Sequence, residues 1–84
     1  MTDATSALAA LASASPVAPL PSIAERIRLR TAFGVTQQAL ADALNVSRKT
    51  VNGWETGKGV PTGINRTKYA ALLAAWQETE NNNS

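Results

Sequence analysis

The sequence predicts an all-α fold, a compact bundle of four to five short helices. Three observations predict it. Helix-start residues and helix-stop residues alternate from Ser22 onward. Between these signals the apolar side chains recur three and four positions apart, as on one face of a helix. No stretch alternates apolar and polar residues as a half-buried strand does.

Residues 1–21 are rich in Ala, Ser and Pro. Asp3 can cap a short Ala-rich helix over residues 4–13, with Leu8 and Leu11 three apart, although such a helix is marginal by itself. Pro16, Pro19 and Pro21 favour an extended linker. Two readings stay open for this arm: a disordered segment, as the composition favours, or a helix ordered by packing on a partner subunit.

From Ser22 the character changes. Ser22-Ile-Ala-Glu25 fits a capping box and predicts a helix over residues 23–33, stopped by Gly34. Thr36 can cap a second helix over 37–44, and Asn45 tolerates the left-handed conformation that ends it. Ser47 can cap a third over 48–56, ended by Gly57. Gly57 to Gly63 reads as a loop. A fourth helix is expected over 65–78, with Tyr69, Leu72, Leu73 and Trp76 on one face. The domain organisation is therefore an arm over 1–21, a folded unit over 22–79 and a polar tail over 80–84, with fraying expected from Glu78 to Ser84.

Composition narrows the function. Among the 84 residues there is no Cys and no His. That removes disulfides, Cys-based metal sites, and the commonest general base and metal ligand. The chain is read as not an enzyme, with no cofactor, no metal and no small-molecule ligand. The net charge of +2 conceals a pattern. All eight basic residues lie between Arg26 and Lys68, a stretch whose two acids, Asp42 and Glu55, leave it at +6, while Asp3, Glu25, Glu78 and Glu80 give the flanks −4. A basic segment between acidic ends points to a polyanion-binding surface. No apolar run reaches membrane-spanning length. The Ala-rich start lacks the basic region of a signal peptide, so the protein is read as cytoplasmic.

The second and third helices carry the functional signal. A pair of helices crossing steeply at a tight turn needs a small residue at the crossing, here Ala41. It needs apolar inner faces, here Leu40, Leu44, Val46, Val51 and Trp54. It needs a turn residue that accepts positive φ, here Asn45, and a polar outer face, here Arg48, Lys49 and Asn52. The motif Thr36-Gln37…Leu40-Ala41…Leu44-Asn45-Val46-Ser47…Val51…Trp54-Glu55…Gly57-Lys58 resembles that of the lambda-repressor/Cro-type (XRE-type) helix-turn-helix regulators of phages, plasmids and bacterial chromosomes. The resemblance covers residues 24–76. The length and the Ala/Pro-rich arm also resemble KorC-type plasmid repressors.

The resemblance implies roles. Gln37 opens the second helix and holds a phosphate, Arg48 and Lys49 reach base edges, Asn52 faces the groove, and Arg30 pairs with Glu55. Groove chemistry points the same way for the outer face. Arg48 and Lys49, in the deepest-entering turn, can donate to guanine O6 and N7, and Asn52 can be bidentate to adenine. Ser47 and Thr50 can reach phosphate or base. Gln37, Gln38, Thr50, Lys58, Arg66 and Lys68 are expected mainly on phosphate, with Gln38 evenly divided between that role and plain helix surface. Arg26 and Arg28 read as solvated, and Trp54, Tyr69 and Trp76 as core. Gly53, inside the third helix, should cost about 1 kcal/mol against Ala. Room for DNA, room for helix packing and neutral drift all remain open for it.

One recognition helix reads too few base pairs for a genome, so such modules pair and bind inverted repeats about one helical turn apart. The expected function is a homodimeric repressor on a palindromic double-stranded operator, blocking RNA polymerase and governed by its own concentration. The alternative is an antitoxin-type autoregulator that also binds a toxin. A protein-interaction domain and an activator touching polymerase through Asp42 are further readings. The pairing surface is left among the last helix with Leu73 and Trp76, the 59–64 loop, and the arm.

Overall fold

A computed structural model describes residues 20–82. The helix expected over 4–13, and the choice between a disordered and an ordered arm, lie outside the described residues. Within them the fold is all-α. Four helices follow in order: α1 (Ile23–Ala32), α2 (Gln37–Leu44), α3 (Arg48–Thr56) and α4 (Gly63–Asn82).

Each of the first three helices starts on a hydroxyl and stops on a left-handed residue. Ser22, Thr36 and Ser47 accept a hydrogen bond from the backbone N–H three residues on, at 3.1, 3.0 and 3.1 Å. The capping box of α1 forms only by this half, because the Glu25 carboxylate is held by Arg28 instead. At the ends of α1, α2 and α3 the residue after the turn donates back to the carbonyl five positions earlier. These bonds run from Val35 to Arg30, from Val46 to Ala41 and from Lys58 to Gly53, at 3.0, 2.9 and 3.0 Å. Such closure requires positive φ, which Asn45 (φ 59°) and Gly57 (φ 81°) supply.

The core is formed by Leu29 of α1, Leu40, Ala41 and Leu44 of α2, Val51 and Trp54 of α3, and Tyr69 and Leu73 of α4. Leu20, Val35, Val46, Leu72 and Trp76 pack around it half-buried. Two ring stacks hold α4 in place. Trp54 lies 5.1 Å from Tyr69, and Phe33 lies 5.6 Å from Trp76. Ala41 is fully buried where α3 crosses α2, so a larger side chain there would cost about 1–3 kcal/mol in overpacking.

Two details differ from the sequence expectation. Leu20 and Pro21, expected in the arm, are engaged with the helices: Leu20 packs on the core, and the Pro21 carbonyl accepts from Arg26 Nε at 3.0 Å. At the other end α4 starts two residues earlier than expected and runs to Asn82, so residues 80–82 are helical rather than a frayed tail. An Arg66 N–H bond to the Thr62 carbonyl supports the early start. The extension is anchored by Glu80, whose carboxylate takes two bonds from Arg28 at 2.9 and 3.1 Å. Arg28 thus links α1 to the last turns of α4 and is not simply solvated. Among the described residues no helix is long and apolar enough to cross a membrane.

Candidate nucleic-acid interface

The sequence of α3 divides the helix into two faces. Val51, Trp54 and Glu55 are buried, while Arg48, Lys49, Thr50, Asn52 and Thr56 are exposed. The split follows from helical spacing: 51, 54 and 55 fall on one stripe, and 48, 49, 52 and 56 on the other. The outer stripe starts with two cations at the N-terminus of the helix. There the first backbone N–H groups lack intrahelical partners and the dipole favours anions.

Beneath this face lies a connected polar cluster built from three helices. Arg30 of α1 grips Glu55 of α3 with two bonds, Nε to Oε2 at 2.6 Å and Nη2 to Oε1 at 2.9 Å. Its remaining Nη1 donates to the Val35 carbonyl at 2.8 Å, fixing the turn into α2. The Glu55 side chain is 3% exposed, so this ion pair is shielded from solvent screening. Gln37, the first residue of α2, donates from Nε2 to Glu55 Oε1 at 2.9 Å and to Asn52 Oδ1 at 3.3 Å. Arg48 Nη1 approaches Gln37 Oε1 at 3.5 Å. The cluster therefore joins the buried carboxylate to two side chains of the outer face.

The other candidate residues are less gathered. Ser47 and Thr50 bond to each other through their hydroxyls at 2.9 Å, and the Ser47 oxygen also caps α3. Gln38 donates to Asp42 at 2.8 Å along the exposed side of α2, which engages both groups locally. Lys49 and Lys58 are exposed. Arg66 is half-buried and Lys68 exposed on α4. Two residues apart on a helix, they sit about 200° around its axis from one another, so they cannot share one flat face.

Arg26, expected in solvent from the sequence, is instead engaged with the fold. Its Nε is bonded to the Pro21 carbonyl, its guanidinium lies 5.9 Å from the centroid of the Tyr69 ring, and its Nη1 is buried without a hydrogen-bond partner among the described residues. The Tyr69 hydroxyl is buried without a hydrogen bond of full geometry among the described residues; burial pushes its pKa above the ordinary 10.0, against the opposing pull of the Arg26 guanidinium beside it. The family resemblance also implies that Gln37 can touch the recognition helix, and it does so at Asn52 and Arg48. Its bond to Glu55 has no sequence signal of its own.

A family model described as helix-turn-helix matches residues 27–74, more than half of the chain and the whole of α2, the turn and α3. No curated protein and no solved structure matches. The chain belongs to the lambda-repressor/Cro-type (XRE-type) helix-turn-helix family, a family of DNA-binding transcription regulators.

Proposed function

We propose that this protein is a sequence-specific repressor that binds an inverted-repeat operator as a homodimer. In this reading α3 enters the major groove of each half-site, and the bound dimer blocks RNA polymerase. The observation that carries it is the outer stripe of α3, with Arg48, Lys49 and Asn52 exposed on a helix whose opposite side is buried. Arg48 and Lys49 have the donors for guanine O6 and N7, while Thr50 and Ser47 are assigned to phosphate or base. Gln37, through its backbone N–H at the start of α2, and Gln38, Lys58, Arg66 and Lys68 are assigned to the phosphates on either side, with Arg66 and Lys68 serving different flanks.

Pairing is assigned to the 59–64 segment. Val60 and Ile64 are large apolar side chains that are 74% and 65% exposed, which supports this surface. Leu73, the rival on α4, is buried, and Trp76 is stacked on Phe33.

The test is binding to an inverted-repeat duplex recovered from a random pool, over a salt series. Affinity is expected to fall steeply as salt rises, because phosphate contacts release counterions. Arg48→Ala should cost about 1–3 kcal/mol on the selected duplex and relax base preference at one position. Lys68→Ala should weaken all duplexes about equally and reduce the salt slope by about 1. No binding at low salt would overturn the reading.

A further inference from the structure

The polar cluster under α3 fixes more than side-chain positions. It fixes which end of each amide faces outward. The Glu55 carboxylate, paired with Arg30, only accepts hydrogen bonds. The atom of Gln37 that meets it at 2.9 Å must therefore be the NH2 group. The same NH2 group meets Asn52 at 3.3 Å, and its partner there must be an acceptor, so Asn52 turns its oxygen inward. The opposite end of the Gln37 amide is then an oxygen, and it faces the Arg48 guanidinium, which only donates. Carboxylate and guanidinium thus demand the same orientation of Gln37 independently. With its oxygen bonded to Gln37, Asn52 presents its NH2 group to the exterior.

We infer that Glu55, acting through Gln37, sets the base preference of Asn52. This rests on the groove-binding reading of α3 and deepens it. An Asn free to turn reads adenine by accepting from N6 and donating to N7. A carbonyl oxygen keeps a second lone pair, but an Asn whose oxygen is held inward by Gln37 turns only its NH2 donors toward the groove. Arg48 and Lys49 on the same stripe are also donors only. Such a face matches base edges that carry acceptors and no donor, and guanine, with O6 and N7, is the edge with two. Adenine presents its N6 donor to the outward NH2 of Asn52, and cytosine presents N4, so both are disfavoured. The expected half-site is therefore guanine-rich under α3, with guanine rather than adenine opposite Asn52. Glu55 and Gln37 are positioning residues here, and Asn52 is the reading residue.

The experiment uses the full chain and the pool-selected duplex, with all four base pairs substituted in turn at each half-site position. The position that loses its preference in Asn52→Ala is the one Asn52 reads. There the unaltered protein should prefer guanine over adenine by about tenfold. In Gln37→Leu the Asn52 amide is released, and the preference should fall to near parity whatever happens to overall affinity. A general loss of stability or of phosphate contact lowers binding to all four bases together and leaves the ratio in place. In the free protein both hydrogens of the Gln37 amide are bonded, so they should exchange with water more slowly than those of unbonded side-chain amides. This second measurement does not require a folded variant. Preference for adenine in the unaltered protein, an unchanged ratio in Gln37→Leu, or fast exchange at Gln37 would each overturn the inference while leaving DNA recognition by α3 intact. Failure to select any duplex would overturn both.

Discussion

Arg30 and Glu55 lie 25 residues apart in sequence and meet through two parallel hydrogen bonds of 2.6 and 2.9 Å, with the Glu55 side chain 3% exposed. The pair ties the first helix to the end of the recognition helix. A planar guanidinium suits this task better than an ammonium, since it holds both carboxylate oxygens and still reaches the Val35 carbonyl.

Removing one partner leaves the other charged and buried. Glu55→Ala should therefore destabilise the protein by about 3–5 kcal/mol, measured by urea denaturation. Replacing both partners with apolar residues of similar volume, Arg30→Met with Glu55→Leu, should recover most of that loss. Additive losses in the double variant would show that the attraction between them contributes little.

Gly53 can be decided by a single methyl. A Cβ built there meets the Gly59 backbone nitrogen at 3.8 Å, an ordinary contact, and φ is not positive. Gly53→Ala should raise stability by about 1 kcal/mol through helix propensity, seen as a higher thermal midpoint. Because the methyl points toward the loop at Gly59, DNA affinity should be unchanged. A large drop in affinity with stability intact would restore the reading of Gly53 as room for DNA.

Arg28 sits between Glu25 and Glu80 and lowers both carboxyl pKa values below the ordinary 4.5, chiefly by hydrogen bonding. A carboxylate with a lowered folded pKa contributes stability above the unfolded value and loses it as pH falls through the folded one. The protein should thus lose stability as pH drops below about 4.5, and Arg28→Ala should flatten that dependence. All three groups reach solvent, so added salt should weaken the effect. Thermal melts across this range, with and without salt, provide the check.

Tyr69 gives the opposite sign at the alkaline end. Its raised pKa means that the contribution is full below the ordinary value of 10.0 and is lost as pH rises through the folded value. Tyr69→Phe should abolish this alkaline loss. At neutral pH the same change removes a buried hydroxyl that makes no hydrogen bond of full geometry among the described residues, so stability should change by no more than about 1 kcal/mol. A fall of several kcal/mol would mean that the hydroxyl is satisfied after all.

Local chemistry made α2 and α3 legible to the residue, because Thr36, Asn45, Ser47 and Gly57 act within a few positions of themselves. The core face of α4 was legible from spacing alone. Its ends were not. Gly63 has poor helix propensity and hid the start, while the C-terminal extension depends on Arg28, 52 residues away from Glu80. Arg26 was misread for a related reason, since nothing in its neighbourhood announces the Tyr69 ring. In the candidate interface the exposed stripe followed from periodicity. The amide orientation of Gln37 and Asn52 did not, because it is imposed through Gln37 by a carboxylate 18 residues away from it in sequence.

The three hydroxyl starts and three left-handed stops have a kinetic meaning. Each boundary is specified by a bond spanning three to five residues, so α1, α2 and α3 know their own lengths before the core assembles. Little loop-closure entropy has to be overcome before native contacts begin to form. A chain of this kind has low contact order and should fold in a single exponential on the microsecond-to-millisecond scale. The slowest native contact to form would then be the one between Arg28 and Glu80, which closes the longest loop and leaves the recognition helix already in place.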